Sequence, residues 1–353
     1  MNIYKMPNGT YELGDWPARK DPNWINWTWL ITLYCDFNCP MCIGFKRKIE
    51  LSPATLLDKF GVDGCVTRFE KLREKINKNV YITMSGGEPT TVKLLPEFCK
   101  ELTKRNFMIE LHTNLSKPEF KRWVDMVDPN NIGQVMATYH SWKLDKQIDE
   151  RDMYLENFNY GAFNGLTMVC KNIILPSEVD SADKKLKSLE KLIPVGYPIL
   201  LWGFIRGVPK STTDFGKAYP YIYTTKQKDL LNSIRKYRRN DQKAYMDGGG
   251  FTKGMKCYAG ESYLYMSVEG DIFRCYSYRD KSTVIGNFEK TEIKLNGKAC
   301  VCTRDYCGVP FWSLWYGENP WNYVPGLKKE DCDFCKSKPW VGELPMYPNF
   351  VKK

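Results

Sequence analysis

Three thiols crowd one short stretch. In "ITLYCDFNCPMCIGF" (31–45), Cys35, Cys39 and Cys42 stand at the spacing C-x3-C-x2-C, directly after a β-like apolar run. Clustered cysteines in a chain with no export signal point to metal rather than to disulfides. A structural zinc site needs a closed tetrahedral set, commonly two C-x2-C pairs, and no nearby residue completes one. The only two histidines, His112 and His140, lie on separate strands, which leaves zinc as the weaker reading. A 4Fe–4S cluster held by thiolates fits a short loop of this kind. With three protein ligands one iron keeps an open coordination position, where a substrate or cosubstrate binds by the logic of catalytic metal sites.

The surrounding periodicity says what positions this loop. "WTWLITLY" (27–34) reads as a strand, and "SPATLLDKF" opens a helix with Ser52 as cap and Pro53 in its first turn. Further strands are expected at "NVYITMS" (79–85), "FMIELHT" (107–113), "GQVMATYH" (133–140), "LTMVCKNIIL" (166–175) and "PILLWGFI" (198–205). Between and after them come helices over "LLPEFCKELTKR", "PEFKRWVDMV", a charged stretch near 143–158, "SADKKLKSLEKLI" and "KQKDLLNSIRKYRR". Six strand–helix units in series imply parallel pairing with right-handed crossovers. They are too few to close a (β/α)8 barrel, so the expected fold class is α/β, a partial (β/α)6 TIM-like barrel.

Ligand sites in such sheets lie at the carboxyl ends of the strands, where the cysteine loop falls. "MSGGEPT" (84–90) ends the second strand, and its Gly86-Gly87 pair lets backbone approach a ligand without Cβ interference. Thr113 and Asn114 follow the third strand; Thr138, His140 and Ser141 end the fourth, as turn-forming, wall or binding residues.

The cysteine spacing and Gly86-Gly87-Glu88-Pro89, at consecutive strand ends, resemble the radical S-adenosylmethionine (radical SAM) superfamily over roughly residues 27–210. The resemblance implies that Cys35, Cys39 and Cys42 hold a 4Fe–4S cluster whose open iron is chelated by S-adenosylmethionine (AdoMet). Gly86, Gly87, Glu88 and Pro89 would hold its methionine amino group, and Thr113, Asn114, Thr138, His140 and Ser141 sit at levels that contact ribose and carboxylate. One electron from the reduced cluster, delivered by an external reductant such as flavodoxin or ferredoxin, would break the S–C5′ bond. The resulting 5′-deoxyadenosyl radical would abstract a substrate hydrogen. A fourth thiolate would block the iron that AdoMet takes. The family usually has an aromatic residue beside the adenine just before the third cysteine; here Met41 stands there, offering apolar or sulfur–aromatic contact.

Seven of the thirteen cysteines lie in 257–335. Cys257 and Cys275 frame C-x12-G-x4-C, and "IGNF" (285–288) follows, which resembles the opening of the SPASM auxiliary-cluster domain. Two strands joined by a turn at "VEGD" (268–271) would bring both thiols toward one cluster. Cys300, Cys302, Cys307, Cys332 and Cys335 bring the total to the seven that SPASM uses for two clusters. The spacings C-x-C-x4-C and C-x2-C depart from its pattern, so one cluster of the shorter twitch type, two clusters, and zinc all stay open. Sulfatase-maturing relatives carry an Asp base after the cysteine matching Cys275; here it is Tyr276, which disfavours formylglycine formation and leaves Tyr276 or Asp280 as candidates for another proton-transfer role. The Gly-rich "YMDGGGFTKG" (245–254) divides the chain into an N-terminal extension (1–26), a radical SAM core (27–244) and a small cysteine-rich auxiliary domain (245–353).

Composition narrows the class. The chain has 353 residues, 43% hydrophobic, enough for a large core. Cys65, Cys99 and Cys170 stand alone and read as buried small hydrophobes. No apolar run approaches the ~18 residues that would span a bilayer, and the N-terminus has no signal-peptide pattern; a cytoplasmic protein without membrane contact is expected. A net charge of +11 and "RKYRR" (235–239) leave nucleic acid open as a partner, against the plainer reading of solvated helix faces. SPASM-bearing relatives mostly modify peptides or proteins, which makes peptide maturation the first functional reading. A small-molecule reaction on a sugar, nucleoside or amino acid is the second, and RNA modification the third. Against the first, the opening 26 residues are too few for a separate recognition domain.

Overall fold

The computed structural model describes residues 3–5, 11–13, 23–37, 39, 54–194, 197, 199–203, 224–234, 256–276 and 281–301. A short antiparallel pair, β1 (Ile3–Lys5) and β2 (Tyr11–Leu13), comes first. Six parallel strands then lie side by side in chain order: β3 (Trp24–Thr32), β4 (Asn79–Gly86), β5 (Met108–Thr113), β6 (Ile132–Tyr139), β7 (Met168–Ile174) and β8 (Ile199–Gly203). The helices between them are α1 (Leu56–Ile76), α2 (Leu95–Thr103), α3 (Glu119–Met126), α4 (Ser141–Leu144), α5 (Ile148–Phe163) and α6 (Ala182–Leu192), with α7 (Thr225–Ile234) after β8. The sheet stays open, as a partial barrel requires.

Period-two alternation assigns the two faces of the sheet. Ile25, Trp27, Trp29 and Ile31 of β3 and Val80, Ile82 and Met84 of β4 pack among the helices with Phe69 and Phe98. Trp27 meets the Phe69 ring edge-on at 5.4 Å and Trp29 meets Phe98 at 5.7 Å. The opposite face is polar. Buried Glu110 accepts there from Gln134 Nε2 (2.6 Å), His112 Nε2 (2.7 Å), Tyr81 Oη (3.0 Å) and Thr83 Oγ1 (3.4 Å). Cys65, Cys99 and Cys170 are fully buried, and burial pushes each thiol up to about 12, so they are inert packing residues.

Two local expectations shift. β3 begins at Trp24 rather than Trp27. The first helix is capped by Thr55 rather than Ser52: Thr55 Oγ1 accepts from Asp58 N (3.1 Å) while Asp58 Oδ2 accepts from Thr55 N (2.8 Å). That reciprocal pair satisfies two otherwise orphaned donors, which a serine followed by proline does not. Thr55→Ala is expected to cost about 1 kcal/mol, read as a lowered midpoint in thermal unfolding.

The sheet does not stop at β3. Beyond the Gly-rich stretch, which lies outside the described residues, come β9 (Lys256–Cys257), β10 (Tyr263–Met266), β11 (Asp271–Phe273), β12 (Val284–Asn287), β13 (Glu292–Ile293) and β14 (Cys300–Val301). β10 pairs parallel with β3, setting Tyr265 opposite Thr28, and β11, β12 and β13 extend the same sheet antiparallel. The turn expected at "VEGD" is present, with Gly270 at φ +89°, in the left-handed region that suits glycine. Helix α1 bridges the seam, its Phe69 ring 4.9 Å from Phe288. The ion pair Lys59–Glu289 (2.7 Å) crosses it on the half-exposed surface and adds little.

Candidate functional site

The chain leaving β3 is gripped by the end of β4. Gly87 N donates to Thr32 O (2.8 Å) and Glu88 N to Tyr34 O (2.7 Å). A Cβ on Gly86 would lie 2.3 Å from Thr32 O, and one on Gly87 only 1.8 Å from Tyr34 O. The room that the Gly-Gly pair makes is therefore filled by the protein's own backbone at the root of the cysteine loop, where the sequence pointed to a ligand.

Glu88 carries the grip across to β5. It is buried, with Oε1 accepting from Thr90 N (3.0 Å), Thr90 Oγ1 (2.7 Å) and Thr113 Oγ1 (2.7 Å), and Oε2 accepting from Asn114 N (2.7 Å). Burial pushes the carboxyl above its usual range against the pull of those donors. Pro89 opens the short 3-10 turn that presents Thr90. Thr113 and Asn114, read as cofactor contacts, are thus engaged in tying strand ends together.

Asp36 fastens the cysteine loop from the other side. Its carboxylate accepts from Ser116 Oγ (2.6 Å) and Asn114 Nδ2 (3.1 Å) and pairs with Lys117 Nζ (3.1 Å). Burial alone would raise the Asp36 carboxyl; Ser116, Asn114 and Lys117 outweigh it and hold it below the usual carboxylate range. Cys35 is half-buried and Cys39 buried, and burial pushes the Cys35 thiol far up. Met41 and Cys42 lie outside the described residues, so the third corner of the site is not described.

At the end of β6, His140 faces Cys39, with Nδ1 3.6 Å from Sγ. Its ring meets Phe37 edge-on at 5.3 Å, and Lys143 Nζ sits 3.8 Å from the centre of the Phe37 ring. Burial first, then the nearby Lys171 and Lys143, pull His140 down to about 3, so the imidazole is neutral. Ser141 donates to Glu178 Oε1 (3.0 Å), which also pairs with Lys185. Thr138, two residues before His140, is half-buried on the same face of β6.

The C-terminal thiols lie just behind this loop. Cys257 and Cys275 are buried in one apolar cluster with Leu30, Leu33, Tyr263, Tyr265, Phe273 and Tyr276. Register sets Cys300 of β14 opposite Cys257 of β9. Tyr276 stacks edge-on against Tyr265 at 5.2 Å. Cys302, Cys307, Cys332 and Cys335 lie outside the described residues. Among the described residues, no three His, Cys, Asp or Glu side chains converge closely enough to hold a metal. The two thiols at the mouth, Cys35 and Cys39, are soft donors of the kind that hold an iron–sulfur group, and the His140 imidazole lies beside Cys39.

Asp36 and Glu110 escaped the sequence reading. Asp36 is a spacer position inside the C-x3-C motif, where the spacing assigns it no role, and its partners are some 80 residues away. Glu110 had a signal: Met108, Glu110 and His112 share one face of an alternating strand, and an acid there is a buried polar group needing donors.

No protein-family model and no curated protein matches the chain. Solved structures do. The chain is similar to AdoMet-bound anSMEcpe at TM-score 0.53 and 13% identity, covering 76% of this chain and 75% of that one. It is similar to anSMEcpe with AdoMet and the Cp18Cys peptide at TM-score 0.52 and 14% identity, covering 75% of this chain and 78% of that one. To Streptococcus suis SuiB bound to its precursor peptide SuiA the TM-score is 0.54 at 11% identity, covering 76% of this chain but only 63% of SuiB. At such identities the likeness establishes the fold, which is that of radical SAM enzymes.

Proposed function

We propose that the chain is a radical SAM enzyme that acts on a peptide or protein. One observation carries the reading: the loop bearing Cys35 and Cys39 and the loop bearing Gly86–Pro89 are interlocked at the carboxyl ends of the first two barrel strands, on a fold shared with AdoMet-binding enzymes. Cys35, Cys39 and Cys42 would hold a 4Fe–4S cluster with one open iron, leaving AdoMet to bind over Gly86–Pro89. When bound, that cluster would supply one electron for reductive cleavage of the S–C5′ bond of AdoMet.

The chain's own residues set the stage for that chemistry. Asp36 and Glu88 hold the cysteine loop against β4 and β5, so the thiols would be presented to the cluster in one geometry. The face of the sheet turned from the helices, floored by the Glu110 hydrogen-bond network, takes the substrate. Tyr276 is a candidate for proton transfer. We assign Cys257, Cys275 and Cys300 to an auxiliary cluster completed from the later cysteines, within a domain spanning 245–353 that follows a core at 27–244. A peptide substrate is favoured because SuiB and anSMEcpe were each solved with one. Thiolate sites of this kind persist in a reducing cytoplasm, and among the described residues no helix is long and apolar enough to cross a membrane.

Anaerobic reconstitution tests the reading. Expected are iron beyond a single 4Fe–4S cluster, a reduced-state EPR signal that changes on adding AdoMet, and release of 5′-deoxyadenosine. Zinc in place of iron, or a cluster signal indifferent to AdoMet, overturns it.

A further inference from the structure

We propose that His140 donates a hydrogen bond to the Cys39 sulfur and raises the reduction potential of the cluster that Cys39 helps to hold. The inference rests on the reading above and adds a residue that tunes the site.

Nδ1 lies 3.6 Å from the sulfur and Nε2 4.0 Å, so the nearer nitrogen is the donor, in the tautomer that carries its proton on Nδ1. Cys39 is the sole hydrogen-bond partner of that ring among the described residues. The imidazole is held where it stands. His140 directly follows β6 and caps α4, its carbonyl accepting from Lys143 N (2.9 Å) and Leu144 N (2.9 Å), which fixes the backbone between two elements. Phe37, inside the cysteine loop, abuts the ring edge-on, and Lys143 of α4 covers Phe37 in turn. Loop, strand end and helix start therefore move as one, and the donor stays on the sulfur.

A donor on a ligating sulfur draws off negative charge. Reduction adds negative charge to a cluster, so the bond is stronger in the reduced form and the potential rises. His140 acts through Cys39; it is a positioning residue, and this role differs from the ribose or carboxylate contact that its level in the barrel implies.

The test uses the full chain, anaerobically reconstituted, with the AdoMet-sensitive EPR signal isolating this cluster in a redox titration. His140→Phe keeps a ring and removes the donor; His140→Gln restores an N–H. The expected result is a lower midpoint potential in His140→Phe at unchanged iron content, largely recovered in His140→Gln. An unshifted potential in His140→Phe, equal shifts in both variants, or a change in AdoMet binding alone overturns the inference. Should His140→Phe fail to take up iron, wild-type protein labelled with 15N-histidine decides: the sequence has only two histidines, and pulsed EPR must detect a nitrogen coupled to the reduced cluster that disappears in His140→Gln and survives in His112→Gln. No coupling means no bond. Absence of any AdoMet-sensitive cluster in the wild type sinks the enzyme reading itself, whereas an AdoMet-sensitive cluster blind to His140 sinks only this step.

Discussion

Gly87→Ala is expected to abolish iron uptake at the first cysteine site and to destabilise the fold by about 3 kcal/mol. The new Cβ would sit 1.8 Å from Tyr34 O, 2.4 Å from Tyr34 C and 2.9 Å from Leu33 C. All three are backbone atoms, so no rotamer change relieves the clash and the two loops must part. Parting breaks the bonds from Gly87 N to Thr32 O and from Glu88 N to Tyr34 O, at about 1 kcal/mol each. It also displaces Cys35, the residue after Tyr34, from any shared metal geometry. The checks are iron per chain after reconstitution, the AdoMet-sensitive EPR signal and the thermal midpoint. Normal iron content and an unchanged midpoint would mean that the loops are not interlocked as described.

The barrel strands were legible because alternation is local. "FMIELHT" and "GQVMATYH" place one apolar face toward the helices whatever the distant partners are, and their boundaries fell within two residues. The helix cap was misread for an equally local reason. Ser52-Pro53 and Thr55 with Asp58 are both start signals, and the reciprocal pair satisfies more donors. What could not be read is contact between strand ends far apart in sequence. The Gly-Gly pair announced a close approach, but only the parallel order β3-β4-β5 reveals that the approaching atoms belong to residues 32–34. The same holds beyond the Gly-rich stretch, where composition marks a change of texture. It carries no sign that β10 continues the barrel sheet through β3, because a parallel pairing between residues 26–29 and 263–266 leaves no local trace.

That continuity has a consequence for the two groups of cysteines. Leu30 and Leu33 pack with Cys257 and Cys275, while Cys35 lies two positions beyond Leu33. One short length of β3 and its exit thus carries the first loop on its end and the C-terminal thiols against its flank. A disturbance at either is felt through shared backbone, and the hold exerted by Gly87 and Glu88 governs both.

Glu88→Gln should destabilise the protein by about 3 kcal/mol and lower iron uptake, although the substitution is isosteric. The carboxylate faces donors only, two backbone N–H groups and two hydroxyls. Glutamine must put an NH2 where one oxygen stood. Placed at Oε2, it confronts Asn114 N–H; placed at Oε1, it confronts Thr90 N–H as well as the hydroxyls of Thr90 and Thr113. The hydroxyls can rotate and accept, but a backbone N–H cannot, so either orientation orphans one buried donor at about 1–3 kcal/mol. Loss of the charge weakens the contacts that remain, since bonds to an ionised acceptor are roughly twice as strong as neutral ones. Asn114 then loosens, and with it the Nδ2 bond that steadies Asp36 beside Cys35. Chemical denaturation and iron content should therefore fall together. A variant within about 0.5 kcal/mol of wild type would show that the four donors do not converge on an ionised Glu88.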